Sequence, residues 1–372
     1  MAGEVWPWAQ NAKDGVSILL VGDINIENRA DPVSAFANVR ETLNRADLVY
    51  GNLEGLLVKS QGPDKDIPDK SGWQHLGPEA VKALQAGNIT VVGVANNVAY
   101  GAGNILQSLA VLDASGILHT GAGANIEQAH RPAIVERKGV RIGFLQYTAK
   151  WYAQDQQIAT AMRPGVARIL SKDGTSIDEG DLARLVADVR KLRPQVDILI
   201  VSSHNRDGAG LPSPADILAD TRPISPGPKP DDPSLFAPIP LGPRFSQVEA
   251  YQRALAHAAI DAGADLVYGH GSHVLQGVET YKGKAVLFCL GNFATDWIRM
   301  RPNRDGLVVR VEVEGKAIAR VSLVPVTREA EHNNVTMLDP GKPEGAALID
   351  KVTNLSSSVP MKVDGHEVVL LP

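Results

Sequence analysis

Residues 260–273 read Ile-Asp-Ala-Gly-Ala-Asp-Leu-Val-Tyr-Gly-His-Gly-Ser-His. A segment of helical period, Ser246 to Ala262, leads into the short apolar run Leu266 to Tyr268. That run stops at the polar cluster Gly269-His270-Gly271-Ser272-His273. An amphipathic helix, a buried strand and polar side chains just past the strand's carboxyl end form the repeating unit of a layered α/β fold.

The same unit recurs toward both ends of the chain. Apolar runs bounded by Gly, Asp or Asn occur at Ser17–Val21, Leu48–Tyr50, Val91–Val94, Arg141–Tyr147, Asp197–Ser202 and Ala285–Leu290. They are expected to be buried strands. Helical period fills Pro32–Arg45, Pro78–Ala86, Asn104–Ala114 and Asp178–Leu192 between most of them. Polar signatures sit just after the strands: Gly22-Asp23, Gly51-Asn52-Leu53-Glu54, Ala95-Asn96-Asn97, Ser203-His204 and Gly291-Asn292-Phe293. Ligands of α/β sheets bind where strand carboxyl ends and their loops converge, so these clusters and His270/His273 are expected to describe one site.

Two stretches break the rhythm. Residues 208–243 carry ten prolines, which forbid helix and interior strand alike. The insertion starts four residues after His204 and reads as either a substrate lid or an inert loop. Lys150 to Asp181 is a second irregular connection. From Gly306 to Pro325 the apolar residues alternate around Gly315-Lys316, which predicts a closing C-terminal β-hairpin. The 372 residues are expected to form one domain with its core at about 16–330.

Composition narrows the function. A hydrophobic share of 44% and a charged share of 21% are those of a soluble globular protein. A net charge of −5 gives no global positive field for nucleic acid or anionic membrane, so the expected partner is a small-molecule or peptide substrate. The lone Cys289 excludes an intramolecular disulfide and a zinc site of several thiolates, and its apolar setting predicts a buried structural thiol. No run approaches the ~18 apolar residues of a membrane span, and Met1 to Gly15 lacks the basic-then-apolar order of a signal peptide. The expectation is a cytoplasmic protein without a membrane anchor.

Carboxylates, imidazoles and an amide oxygen gathered at strand ends, without thiolates, are the donor set of a hard or borderline divalent metal such as Mn, Zn or Fe. Asp23 and Glu54 are suited to hold or bridge ions, and His204, His270 and His273 to complete the shell. Asp23 also reads as an Asx turn and Glu54 as a loop acid, while Asn96 and Asn97 both suit a turn. Arg206 is a candidate for binding a carboxylate or phosphate. Trp151 and Trp297 suit either an aromatic wall or packing, and His75 with Trp73 suits the pocket border. His119, His130, His257, His332 and His366 belong to no legible motif.

The motifs occur in order across nearly the whole chain. They are Gly22-Asp23, Asn52-Leu53-Glu54, Ala95-Asn96-Asn97, Gly139 to Leu145, Val201 to His204, Ile260 to His273, Gln276 to Tyr281 and Leu290-Gly291-Asn292-Phe293. This set resembles the CapA-like, poly-γ-glutamate synthesis branch of the calcineurin-like metallophosphoesterases. The resemblance implies a four-layer α/β/β/α sandwich and a site descended from binuclear phosphoesterases, in which metal-activated water attacks an electrophilic centre. It also implies Asp23, Glu54, Asn97, His204, His270 and His273 as ligands.

The departures are specific. Val98 stands where the family usually has His, Asn205-Arg206 where Trp-Gly is usual, and Gly271-Ser272 where His-Pro is frequent. Three functions follow as expectations: a metal-dependent hydrolase of an amide, peptide or phosphate ester; a metal-independent acid–base enzyme such as a peptide epimerase; and a non-catalytic capsule-related binding protein. In the first two, Asp23, His204, His270 and Arg206 are the catalytic candidates.

Overall fold

The computed structural model describes residues 6, 15–62, 73–149, 157–169, 175–205, 243–297, 300–356 and 359–370. Arg206 and all of the Pro-rich insertion except Pro243, together with Lys150 and Trp151, lie outside the described residues.

Among the described residues the larger sheet has ten strands. Val16–Asn25 (β1), Leu48–Leu53 (β2), Ile89–Gly93 (β3) and Leu118–Thr120 (β4) run parallel in that order. Ala122–Gly123 (β5) and Gly165–Val166 (β8) form a separate small ribbon. The second sheet joins Ala133–Arg137 (β6), Val140–Thr148 (β7), Ile198–His204 (β9), Leu266–His270 (β10), Val278–Tyr281 (β11) and Lys284–Leu287 (β12). Its order is β11-β12-β10-β9-β7-β6, with β7, β9, β10 and β12 parallel. Asn292–Thr295 (β13) returns to the first sheet beside the end of β1.

The predicted hairpin is Gly306–Glu314 (β14) and Ala317–Arg328 (β15), and β14 pairs antiparallel with β1, so it extends the sheet. Beyond it Val335–Met337 (β16) pairs with β15, as does the hairpin Met361–Asp364 (β17) and Glu367–Leu370 (β18) through β18.

Side chains alternate across a strand, so a strand apolar at every position must be covered on both faces. Ile18 and Leu20 of β1, with Tyr50 and Val91, meet Phe144, Ile200 and Tyr268 of the other sheet. The intervening Leu19 and Val21 face Phe36, Leu43, Leu84 and Leu112. These come from a short 3-10 turn and from helices Arg40–Arg45 (α1), Val81–Ala86 (α2) and Ala102–Ala114 (α3).

Leu199 and Val201 of β9 face the opposite helical layer. Past the one-turn Ile126–Ala129 (α4), that layer is Glu179–Leu192 (α5) and Ala250–Ala262 (α6). Three apolar cores between four layers make the α/β/β/α sandwich. Tyr50 stitches the inner core, stacking on Phe144 at 4.5 Å while its hydroxyl lies 2.8 Å from Ser202 Oγ. Pro343–Leu355 (α7) packs against β15 and β11. No helix among the described residues is long and apolar enough to cross a membrane.

The helix expected over Pro32–Arg45 is broken into a 3-10 turn, Pro32–Phe36, and α1. The Asp31 carboxylate accepts from the Val33 N–H and caps the turn instead. The helix expected from Ser246 starts at Ala250, where Glu249 and Gln252 form a reciprocal capping box.

Candidate metal centre

Asp23 sits near the end of β1, and the register aligns it with Asn52 of β2 on one side and Asn292 of β13 on the other. The approach of β13 requires Gly22, since a Cβ there would lie 2.2 Å from the Gly291 carbonyl oxygen. Glu54 follows β2 directly, its N–H donating to the Ile24 carbonyl at 2.8 Å. His204 and His270 are the last residues of β9 and β10 and pair in register, while His273 sits in the loop beyond with a left-handed backbone, φ 58°. The two sheets thus deliver their carboxyl ends to one point, and all five side chains are buried there.

Their mutual distances carry chemical meaning. His270 Nδ1 lies 3.4 Å from Asp23 Oδ1, His273 Nδ1 3.4 Å from Asp23 Oδ2, His273 Nε2 3.5 Å from Glu54 Oε1, and His204 Nε2 4.0 Å from Glu54 Oε1. These exceed good hydrogen bonds. Donors held ~2.0–2.2 Å from one ion stand roughly 3–4 Å from each other. Ligand atoms of Asp23, Glu54 and His204 all fall within 4.8 Å of one another. Asp23 Oδ2 and both ring nitrogens of His270 are buried without a hydrogen-bond partner among the described residues. Buried polar atoms are ordinarily satisfied, so an O/N cluster this close with orphaned donors fits a divalent ion.

A polar scaffold holds the carboxylate. Asn52 Nδ2 donates to Asp23 Oδ1 at 2.8 Å, and Asn52 Oδ1 accepts from Gln146 Nε2 at 3.0 Å and Asn96 Nδ2 at 3.3 Å. Gln146 Oε1 in turn accepts from the Ala95 N–H at 2.8 Å. Burial pushes the Asp23 carboxyl up, but the imidazoles of His270 and His273 outweigh it and hold the group well below the usual carboxylate range.

Asn96 is committed to the turn: it donates to the Leu53 carbonyl and accepts from the Val98 and Ala99 N–H groups. Asn97, its neighbour, is buried. Cys289 is buried, and its thiol is pushed up to about 12 by burial and by the nearby Asp23 charge, as suits a structural rather than nucleophilic thiol.

The bacterial capsule synthesis protein family, PGA_cap, matches residues 16–212 and 242–297. This chain belongs to that family. Capsule biosynthesis protein CapA of Bacillus anthracis is 25% identical over 335 residues, covering 87% of this chain and 70% of the relative. PGA biosynthesis protein CapA of Bacillus subtilis is 26% identical over 329 residues, covering 84% and 72%. A phosphatase structure from Mycoplasma pneumoniae shares 11% identity with a TM-score of 0.46, covering 84% of this chain and 94% of that one.

Within the PGA_cap fold the departures have local causes. Val98, at the usual histidine position, packs with Trp73, Trp297 and Met300. The Trp297 ring is 6.4 Å from that of His273, and Trp73 stands edge-on to His75 at 4.9 Å. An apolar cluster therefore stands beside the candidate centre.

Residues 205 and 271 pack against each other through the backbone of 205. Asn205 turns inward, accepting from Ser203 Oγ at 3.0 Å and donating its backbone N–H to the His270 carbonyl at 2.8 Å. Gly271, φ 98°, fits against it: a Cβ would lie 2.4 Å from the Asn205 carbonyl oxygen and 2.9 Å from His204 Cε1.

His119, His130, His257, His332 and His366 instead have carboxylate neighbours, such as Asp188 for His130 and Glu279 for His257. Sequence reasoning missed Gln146, whose signal is a lone amide in the apolar strand β7. The Gly291-Asn292-Phe293 signature reaches the site through Asn292, whose Oδ1 lies 3.0 Å from His273 Nδ1.

Proposed function

We propose that this chain is a metal-dependent hydrolase of an amide, peptide or phosphate ester, with Asp23, Glu54, Asn97, His204, His270 and His273 as the ligand set. The observation that carries this reading is the buried cluster whose O and N donors stand 3.4–4.0 Å apart. Asp23 presents Oδ1 to His270 Nδ1, and Glu54 presents Oε1 to His204 Nε2 and His273 Nε2, the carboxylate–imidazole pairs that would hold an ion. A divalent ion held there would supply Lewis acidity and lower the pKa of a water from 15.7 to about 7.

The chain's own residues do the rest. Asn52 fixes the Asp23 carboxylate, and Trp297 with its apolar neighbours limits water beside His273. Val98 offers no proton, so the leaving group must take one from solvent or from an imidazole of the cluster. Relatives named for capsule and PGA biosynthesis support a capsule polymer or its fragments as the substrate.

The geometry favours hydrolysis over epimerisation. Two bases working on opposite faces of one carbon, each within ~3 Å of it, need about 6 Å between them. Asp23 and His270 are 3.4 Å apart, and ligand atoms of Asp23 and His204, the other candidate pair, lie within 4.8 Å. The test is turnover of activated esters and amides that differ in leaving-group acidity. Hydrolysis that needs added metal, is lost in Asp23→Asn and rises steeply with leaving-group acidity is expected. Metal-independent exchange of a substrate α-proton would refute the reading.

A further inference from the structure

His273 has two nitrogens, and its usefulness as a ligand depends on which one carries the proton. Nδ1 lies 3.0 Å from Asn292 Oδ1, and Nε2 faces Glu54 Oε1 at 3.5 Å. The orientation of the Asn292 amide is fixed from its other end, where Nδ2 donates to the Asn303 carbonyl at 3.4 Å. That leaves Oδ1, which can only accept, turned toward the imidazole.

The Asn303 carbonyl is itself anchored. It accepts from the fully buried Arg328 guanidinium at 2.6 Å, and Arg328 also donates to the carbonyls of Met300, at 3.0 Å, and Thr295. Arg328 further donates to Asn333 Oδ1 at 3.1 Å. One guanidinium thus ties Thr295, Met300 and Asn303 to the end of β15.

We propose that Asn292 is a positioning residue of the candidate centre: it holds His273 as the Nδ1–H tautomer and turns the Nε2 lone pair toward the ion, with Arg328 locking Asn292 through the Asn303 carbonyl. The assignment rests on the metallocentre reading for its purpose but not for its geometry. Ligating histidines commonly donate their second N–H to such an outer partner, and losing that partner costs about 10–100-fold in metal affinity. The parallel register of β13 with β1 puts Asn292 directly beside Asp23, so the sheet that places the carboxylate also places the group that aims the imidazole.

The first readout is the ring itself. Metal-free protein labelled with 15N at histidine is examined as the pH is raised until the ring shows the neutral form, and His273 is assigned by the signal lost in His273→Gln. The proton is expected on Nδ1 in the wild type and distributed over both nitrogens in Asn292→Leu. A wild-type ring protonated on Nε2 overturns the proposal.

The second readout is titration with Mn2+ and Zn2+. Asn292→Leu is expected to bind about 10–100-fold more weakly. A folded Asn292→Leu with undiminished affinity overturns the proposal. If wild-type protein binds neither ion, the metallocentre reading fails, and the ring's protonation alone decides for or against Asn292.

Discussion

Replacing Asn52 by leucine removes the hub between Asp23 and β7 while roughly keeping its volume. Asp23 Oδ1 loses a hydrogen bond of 2.8 Å, and Gln146 Nε2 loses its bond of 3.0 Å inside the protein. Asn96 Nδ2 suffers less, because it still donates to the Leu53 carbonyl at 2.8 Å. A hydrogen bond to a charged group contributes about 1.5–3 kcal/mol, and an orphaned buried amide costs about 1–3 kcal/mol. The leucine methyls recover part of this, so the net loss is about 2–5 kcal/mol. With an unfolding entropy of roughly 2 cal/mol/K per residue, a chain of 372 residues should melt about 3–6 °C lower. Calorimetry on metal-free protein measures the shift, and titration with Mn2+ reads the accompanying loss of affinity. A variant that melts with the wild type and binds metal equally well would refute the scaffold role of Asn52.

Gly271→Ala forces a Cβ to 2.4 Å from a backbone oxygen at a positive φ. Backbone strain of about 1–2 kcal/mol and overpacking of about 1–3 kcal/mol predict a lower melting temperature, together with weakened metal binding through the displaced His204; unchanged melting contradicts the close approach of Gly271 to the residue 205 backbone. Asp23, held below the ordinary carboxylate range, contributes stability that is full above the unfolded value of ~3.9 and fades as pH falls through the lower folded value. Acid unfolding of Asp23→Asn should therefore show a shallower pH dependence than that of the wild type, and parallel curves would contradict the depressed value.

The sandwich was legible because burial on two faces leaves an unbroken apolar run, and β1, β9 and β10 each carry one ending in a polar residue. The convergence of Asp23, Glu54, His204, His270 and His273 followed from the rule that such ends meet. What stayed hidden was pairing that only the folded chain creates. Nothing in the order of residues reveals that β13 leaves the second sheet's neighbourhood to lie beside β1, which is what brings Asn292 to His273. Gln146 was concealed by its apolar neighbours, and the C-terminal strands β17 and β18 by their brevity and, in β17, by exposed residues. The break in the first helix was hidden because Asp31 and Pro32 suit a 3-10 start as well as an α-helical one.

The central claim is that the buried carboxylate–imidazole cluster holds a divalent ion. Plasma mass spectrometry on protein purified without a histidine tag or chelator, beside Asp23→Asn and His270→Ala, tests it directly. The account predicts Mn, Zn or Fe bound to the wild type and lost in both variants while the fold persists. A folded wild-type protein that stays metal-free after incubation with these ions would contradict it.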